Sequence, residues 1–188
     1  MNLHEPDFVD YVMDTLRRWE VAPARLSLEL TEGAVMHDPK HALEVLSRLD
    51  AMGVRISIDD FGTGYSSLAY LKRLPVDEIK IDKSFVKDMK LDGNDAVIVR
   101  STIDLAHNMS LQVVAEGVEN PETLGLLNSL GCDKVQGFFF SQPLTHNDLI
   151  QWLGTSSWGM KPGSGPAASG KKESSVVALH RPRPGPFR

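Results

Sequence analysis

Five short segments with strand-like patterns alternate along this chain with segments of helical periodicity, and no hairpin signal joins two strands directly. Strands that alternate with helices form parallel sheets through crossover connections. The sequence therefore predicts an α/β fold. The predicted strands are residues 26–30, 54–59, 78–82, 112–115 and 134–140. The predicted helices are residues 6–19, 39–52, 66–73, 94–109, 121–130 and 145–153.

Helix boundaries are marked by residue types that favour helix ends. An N-cap residue followed by proline suits a helix start, and a glycine commonly follows the last turn. The pattern Thr-x-x-Asp resembles a capping box. These signals are Asp38-Pro39, Asn120-Pro121 and Thr145 with Asp148 at starts, and Gly53 and Gly131 at ends.

Length and composition indicate about one soluble domain in 188 residues, of which 41% are hydrophobic and 24% charged. No apolar run approaches the roughly 18 residues that span a bilayer. The first residues do not have the basic start and apolar centre of a signal peptide. Cys132 is the single cysteine, so no intrachain disulfide can form. We expect a reducing, cytoplasmic location.

Charge divides the chain into two parts. Residues 154–188 contain six Lys or Arg and one Glu, a net charge of +5. Because the whole chain carries −5, residues 1–153 carry −10. A surface that tracks nucleic-acid phosphates is normally basic, so we expect no nucleic-acid partner. The Gly, Ser and Pro content of residues 154–188 predicts a disordered basic tail after a folded domain at residues 1–153.

Two adjacent carboxylates end the second predicted strand. Asp59 and Asp60 are followed by Gly62 and Gly64, which allow a tight backbone turn. Neighbouring acids repel unless a cation lies between them, and oxygen ligands suit a divalent ion. A solvated turn explains this stretch equally well when it is considered alone.

Polar side chains also end the other four strands. The carboxyl ends of parallel strands lie on one face, where ligand sites form in such folds. Singly, these residues are explained as solvated acids, ion-pair partners or, for Asp82, a cap of the next segment. As a set they predict hydrolytic or lyase chemistry with Mg²⁺ or Mn²⁺. They are Glu29 and Glu32, Lys80 and Asp82, Glu116 and Glu119, and Gln136.

Strand alternation assigns these groups to one side of the sheet. Leu28, Ile56 and Ile79 share the side that helices would cover. Glu29, Asp59, Lys80 and Asp82 fall on the opposite side, which is the interior of a closed barrel. The six histidines are scattered, and no Ser/His/acid or Cys/His set is indicated. Phe138 to Phe140 are expected to be strand core.

Five motifs resemble those of the EAL domain family of cyclic-di-GMP phosphodiesterases, which are built on a (β/α)8 TIM-type barrel. They occur in the family's order across roughly residues 3–153, so the domain at residues 1–153 is similar to an EAL domain. The motifs are Glu29-Leu30-Thr31-Glu32, the run from Asp59 to Leu68, Lys80-Ile81-Asp82-Lys83-Ser84-Phe85, Ala115-Glu116-Gly117-Val118-Glu119, and Gln136-Gly137-Phe138 with Pro143.

The resemblance implies a role for each matching residue. Glu29, Asp59 and Asp60 resemble metal ligands, with Asp59 bridging two ions. Lys80 resembles the lysine that holds the nucleophilic water, and Glu116 the general base or second-metal ligand. The implied reaction is hydrolysis of cyclic-di-GMP to linear pGpG with Mg²⁺ or Mn²⁺. Supporting or substrate-side positions are Glu32, Asp82, Glu119, Gln136, Gly62, Gly64 and Pro143.

Two family signatures are missing from the predicted strands. There is no Glu-Ala-Leu tripeptide, and no predicted strand carries the Asn-x-Ser motif whose Asn binds metal in the family. Five strands are predicted where the barrel has eight, so we expect a partial barrel whose first three strands are missing. The first metal site is then incomplete and the sheet has open edges at residues 26–31 and 134–140. We predict little or no phosphodiesterase activity for the chain alone.

Two alternatives to an impaired phosphodiesterase stay open. One is a non-catalytic module that binds cyclic-di-GMP or a protein, and the other is an inert gene fragment. In a longer version of the protein, the resemblance implies upstream sensor or GGDEF domains. A homodimer is a further possible assembly.

Overall fold

The sheet is the centre of the fold. A computed structural model describes residues 3, 5–63, 68–90 and 93–158. Within these residues, five parallel strands form one sheet in the order β1-β2-β3-β4-β5. The predicted α/β fold with five parallel strands is confirmed. The strands are β1 (Ser27–Thr31), β2 (Arg55–Phe61), β3 (Glu78–Ile81), β4 (Gln112–Glu116) and β5 (Lys134–Gln136).

Helices connect the strands as the periodicity predicts. In the described part of the chain they are α1 (Phe8–Arg18), α2 (Glu32–His37), α3 (Pro39–Ala51), α4 (Leu68–Leu71), α5 (Lys83–Val86), α6 (Asn94–Asn108), α7 (Pro121–Ser129) and α8 (His146–Thr155). A 3₁₀ turn at Pro23–Arg25 precedes β1. The first residues of the helix predicted at 66–73 lie outside the described residues.

Side chains cap the helices where the sequence indicates. Asp38 accepts the N–H of His41 at 3.1 Å at the start of α3. Asn120 accepts the N–H of Thr123 at 2.8 Å at the start of α7. Because each cap satisfies a donor that the first helical turn leaves open, it fixes where the helix begins.

Two short helices were not predicted, and each begins directly after a strand. Thr31 caps α2 by accepting the N–H of Ala34 at 3.4 Å. Asp82 caps α5 by accepting the N–H of Ser84 at 2.9 Å. The prediction that β3 includes Asp82 is wrong, because the strand ends at Ile81. The alternative that Asp82 caps the following segment is confirmed.

The apolar core lies between the sheet and its helices. Ile56, Ile58, Ile79 and Ile81 are at most 2% exposed, as strand alternation predicts for the helix-covered face. They pack with buried residues of α3 and α6, among them Leu46, Leu49, Val99 and Ile103. The opposite face of the sheet is polar, and it includes the buried side chains of Ser57 and Lys80.

The fifth strand is shorter than predicted. It ends at Gln136, and residues 138–140 form a turn. Phe138 is 61% exposed, so the expectation that residues 138–140 are strand core is wrong. The rings of Phe139 and Phe140 instead make edge contacts with Trp158, at centroid distances of 6.1 and 4.9 Å.

The C-terminal part is described as far as residue 158. Helix α8, predicted to run through Leu153, ends at Thr155. Most of the predicted tail at 154–188 lies outside the described residues, as does Gly64. Within the described part of the chain, the helices are all too short or too polar to cross a membrane.

Candidate active site

The candidate site lies where the strands end, on the polar face of the sheet. Its centre is Lys80 on β3, whose side chain is 3% exposed. A carboxylate from each of three other strands converges on the Lys80 ammonium. Their oxygens lie 2.9 Å away for Glu29 on β1, 3.3 Å for Asp59 on β2 and 2.6 Å for Glu116 on β4. Four strands thus contribute to one charged cluster.

The cluster carries more negative than positive charge. Burial alone lowers the pKa of a lysine, but Glu116, Glu29 and Asp59 together raise the pKa of Lys80 above its ordinary value. Lys80 is therefore a fixed cation. Burial raises the pKa of Glu116, and the nearby Asp59 and Glu29 add to this against the lowering effect of Lys80. One ammonium does not neutralise three carboxylates, so the cluster can accept further positive charge.

Asp60 sits at an irregularity in β2. The pairing of β2 with β3 shifts register between Ile58 and Phe61, and Asp60 has a positive φ of 55°. Non-glycine residues seldom adopt this conformation, although aspartate tolerates it better than most. The backbone N–H of Asp60 donates to the Asp59 carboxylate at 3.0 Å. The irregularity therefore breaks the strict alternation of side chains at the two acids.

Glu32 and Phe85 both lie close to Gly62 in the turn that follows β2. The buried Glu32 accepts the N–H of Gly62 at 3.3 Å. Gly62 has φ +96°, and a Cβ added there would lie 3.3 Å from the Phe85 ring. The positive φ therefore favours glycine at 62, and an added Cβ would also make a tight contact with the Phe85 ring. The sequence assigned roles to Glu32 and Gly62, whereas Phe85 was quoted only within a motif, and its proximity to Gly62 is seen only in the structure.

The remaining predicted residues lie around this centre at different distances. Gln136 pairs with Glu116 in the β4–β5 register, and within the described residues its buried Oε1 has no hydrogen-bond partner. Glu119 is exposed and lies 3.4 Å from Lys87. Pro143 is exposed in the segment before α8. Asp82 is occupied as the cap of α5.

A second ion pair on the polar face escaped the sequence reasoning. Lys134 Nζ lies 2.6 Å from Glu78 Oε2, and both side chains are largely buried. Ser57 donates to the other carboxylate oxygen of Glu78 at 3.3 Å. This pair helps to line a cavity of about 490 Å³ that also contacts Glu29, Lys80 and Gln136. The opposite charges of Lys134 and Glu78 could have suggested this ion pair, but only the register of the strands brings the two side chains together.

The carboxylates of Glu29, Asp59 and Glu116 are the groups in this site that could bind a divalent cation. Carboxylate oxygens are the ligands that Mg²⁺ and Mn²⁺ prefer, and three of them converge here with an excess of negative charge. Within residues 3, 5–63, 68–90 and 93–158, however, no group of three His, Cys, Asp or Glu side chains is arranged to hold a metal. The Lys80 ammonium lies at the point of convergence. The residues fit such an ion in chemistry, and rearrangement around Lys80 would accompany its binding.

The fold and this site define a class of protein. Parallel strand–helix units with polar groups at the carboxyl ends of their strands are typical of the α/β folds that include the (β/α)8 barrels. A sequence model described as "EAL domain" matches residues 1–143. The chain belongs to the EAL domain family, and its five strands form part of a barrel of that family.

Two relatives illustrate the match. MucR of Pseudomonas aeruginosa, a bifunctional diguanylate cyclase/cyclic di-GMP phosphodiesterase, is 46% identical over 142 residues, which are 76% of this chain and 21% of MucR. The cyclic di-GMP phosphodiesterase NbdA of the same organism is 46% identical over 152 residues, which are 81% of this chain and 19% of NbdA. The chain thus spans about a fifth of these relatives.

Solved structures show the same fold. The MucR phosphodiesterase in complex with c-di-GMP has a TM-score of 0.76 at 45% identity, covering 78% of this chain and 65% of the MucR chain. A manganese/cy-diGMP complex of BlrP1 from Klebsiella pneumoniae has a TM-score of 0.68 at 38% identity, covering 74% of this chain and 36% of that one. Both similarities extend over most of the present chain.

Proposed function

We propose that this chain carries the core of a phosphodiesterase site that hydrolyses cyclic-di-GMP to pGpG. The observation that carries the proposal is the convergence of Glu29, Asp59 and Glu116 on the buried Lys80. Hydrolysis of a phosphodiester needs an oriented water and stabilisation of negative charge, and a fixed cation among acids suits both tasks. The names of MucR and NbdA and the ligand of the MucR structure support this substrate.

Each residue has a role in this proposal. Glu29, Asp59, Asp60 and Glu116 would hold Mg²⁺ or Mn²⁺, the latter in keeping with the manganese complex of BlrP1. Such an ion, when bound, would supply an activated water and offset charge on the phosphoryl group. Lys80, kept protonated by its neighbours, would orient that water by donating a hydrogen bond. Glu116, whose pKa burial raises, would accept its proton.

The polar groups around the cluster would contact substrate or support it. The buried Oε1 of Gln136 is a hydrogen-bond acceptor suited to a nucleobase N–H. Glu32 would hold the turn at Gly62. We assign Glu119 and Pro143 to the rim of the site and Asp82 to support of α5, and Gly64 keeps only the supporting role that the resemblance implies. The domain would comprise residues 1–153 and the basic tail residues 154–188, in a cytoplasmic protein.

Binding without turnover is a second candidate function. It is favoured by the lack of a Glu-Ala-Leu tripeptide in the sequence and of an Asn-x-Ser motif on any of the five described strands. It is also favoured by the position of Lys80, which lies where the described acids converge. In this case the 188-residue chain would bind cyclic-di-GMP through the remaining groups, while a weakly held first cation would keep hydrolysis slow.

A comparison of two polypeptides tests both candidates. One is the 188-residue chain, and the other is this chain fused behind the upstream strands of the MucR EAL domain. We expect the fusion to release pGpG with Mg²⁺ or Mn²⁺ and the chain alone to release little or none. Calorimetry with cyclic-di-GMP then measures binding by the chain alone.

Each outcome decides between the candidates. Robust pGpG release by the 188-residue chain would overturn its predicted impairment. Binding without release by both polypeptides would favour the non-catalytic function. A folded fusion that neither binds nor hydrolyses cyclic-di-GMP would contradict the proposed function altogether, and a non-cooperative melt of the chain alone would support the inert fragment.

A further inference from the structure

The segment that follows Glu116 packs closely against the backbone of two other parts of the chain. This segment, residues 117–119, is here called the β4 loop. On one side it contacts the turn after β5, where Val118 donates its N–H to the carbonyl of Gln136 at 3.1 Å. Phe139 donates in turn to the Val118 carbonyl at 3.0 Å. Gly137 lies between these two hydrogen bonds, facing the Val118 backbone.

Gly137 has no space for a side chain. A Cβ added there would lie 2.6 Å from the Val118 carbonyl carbon and closer still to its oxygen and nitrogen. Real Cβ atoms do not approach backbone so closely, and Val118 is completely buried. Any larger residue at 137 would have to move the β4 loop or break its hydrogen bonds with the turn.

Gly117 makes the equivalent approach on the other side, against α5. It has φ +78°, and a Cβ there would lie 2.6 Å from Lys83 Cβ and 3.2 Å from Lys83 Cα. The positions of these two atoms are fixed by the backbone of Lys83, so they cannot move aside as the end of a long side chain can. Helix α5 is itself fixed by its Asp82 cap and the buried Val86.

Gly117 is next to the charged cluster in sequence, and Gly137 contacts Val118, the residue that follows Gly117. Glu116 precedes Gly117, and Lys80 lies three residues before Lys83 on the adjacent chain segment. The close approach of Gly117 to Lys83 is therefore next to the 2.6 Å contact between Glu116 and Lys80. We propose that Gly117 and Gly137 are positioning residues, which clamp the β4 loop so that the Glu116 carboxylate stays against the Lys80 ammonium.

Carboxyl NMR of the 188-residue chain tests this inference without any need for activity. The chain is labelled with ¹³C at glutamate carboxyls, and Glu116→Gln identifies the Glu116 signal. In Gly117→Ala and Gly137→Ala we expect the Glu116 signal to shift toward that of exposed glutamates, such as Glu122. The matched control is Gly131→Ala, which has the same φ of +78° but no atom within 4 Å of an added Cβ. It should leave the Glu116 signal unchanged.

A rescue experiment separates positioning from general loss of structure. Lys83→Gly removes the Cβ that meets residue 117, so adding it to Gly117→Ala should return the Glu116 signal toward its wild-type position. Folded glycine variants with an unshifted Glu116 signal would overturn the inference, as would an equal shift in Gly131→Ala. If both single variants unfold, the rescued pair decides: a folded pair with the wild-type signal supports the inference, and an unfolded pair overturns it.

The consequence for turnover rests on the proposed function. In the active fusion, Gly137→Ala should lower kcat by about tenfold to a hundredfold with little change in KM, because misplacement by about 1 Å has effects of this size. A shifted Glu116 signal with unchanged kcat would count against the role of Glu116 in hydrolysis. An unshifted signal would count against the positioning role itself.

Discussion

Burial gives Lys80 a role that an exposed lysine does not have. A cation with a 3% exposed side chain is stable only where carboxylates replace its water, and here three of them do so. The same low exposure keeps Lys80 in one position, as orientation of a reacting water requires. Lys134 makes a similarly short contact with Glu78 on the same face, but outside the acidic cluster. Comparing the two lysines can therefore distinguish the proposed chemical role of Lys80 from the structural role of a buried cation.

Lys80→Met and Lys134→Met test this distinction in the active fusion. Each leaves buried carboxylate charge without its partner, so both should lower the unfolding free energy by about 3–5 kcal/mol. Only Lys80→Met should also lower kcat for cyclic-di-GMP hydrolysis, by about 10²–10⁴-fold. Thermal melting and pGpG release measure the two effects. Equal loss of activity in both folded variants would contradict the role of Lys80 in catalysis.

At the scale of elements, two aspartates join the starts of neighbouring strands. Asp77, just before β3, accepts the N–H of Ile56 at 2.8 Å, and its own N–H donates to the Ile56 carbonyl at 2.9 Å. Asp133, just before β5, accepts the N–H of Val113 at 3.0 Å. Each aspartate thus satisfies a backbone donor that would otherwise lack a partner where the β2–β3 or β4–β5 ladder begins. These contacts set the register that later brings the polar strand ends together.

Removing the Asp77 carboxylate should destabilise the sheet. Asp77→Ala leaves the Ile56 N–H without its acceptor, for which we expect a loss of about 1–3 kcal/mol in unfolding free energy. Asp77→Asn retains an acceptor oxygen and should recover most of this loss. Asp10→Ala, which removes an exposed pair with Arg48, should change stability by only about 0–1 kcal/mol. Urea unfolding measures all three, and equal effects of Asp77→Ala and Asp10→Ala would contradict this explanation.

At the scale of the whole molecule, the sheet has two open edges. Within the described residues, β1 pairs only with β2 and β5 only with β4. An edge strand presents unpaired N–H and C=O groups to which another strand can add. We therefore predict that the 188-residue chain associates with itself through these edges.

Sedimentation velocity of the 188-residue chain over a range of concentrations measures this tendency. We expect the weight-average mass to rise with concentration. Ser27→Lys places a charge on the exposed part of β1 and should reduce association, since lysine on an edge strand opposes pairing. Ser47→Lys on the exposed surface of α3 is the matched control and should have no effect. A chain that stays monomeric at all concentrations would contradict the prediction.

Much of the fold follows from local sequence signals. The alternation of strands and helices, the caps Asp38 and Asn120, and the polar ends of the five strands could all be predicted, because each depends on residues within one or two turns. One error, the extent of the fifth strand, lies where tertiary contacts compete with local preference. Phe138 to Phe140 have the composition of a strand, yet the hydrogen bonds of Val118 with Gln136 and Phe139 turn the chain there.

The sequence by itself determined which residues are polar, which strand ends carry them, and which family the motifs resemble. Only the tertiary structure decided that Lys80 lies among Glu29, Asp59 and Glu116. The physical reason is register. A shift of one residue turns every side chain of a strand to the other face. The contacts that fix register here, such as those of Asp77 with Ile56 and Gly137 with Val118, join residues about twenty positions apart.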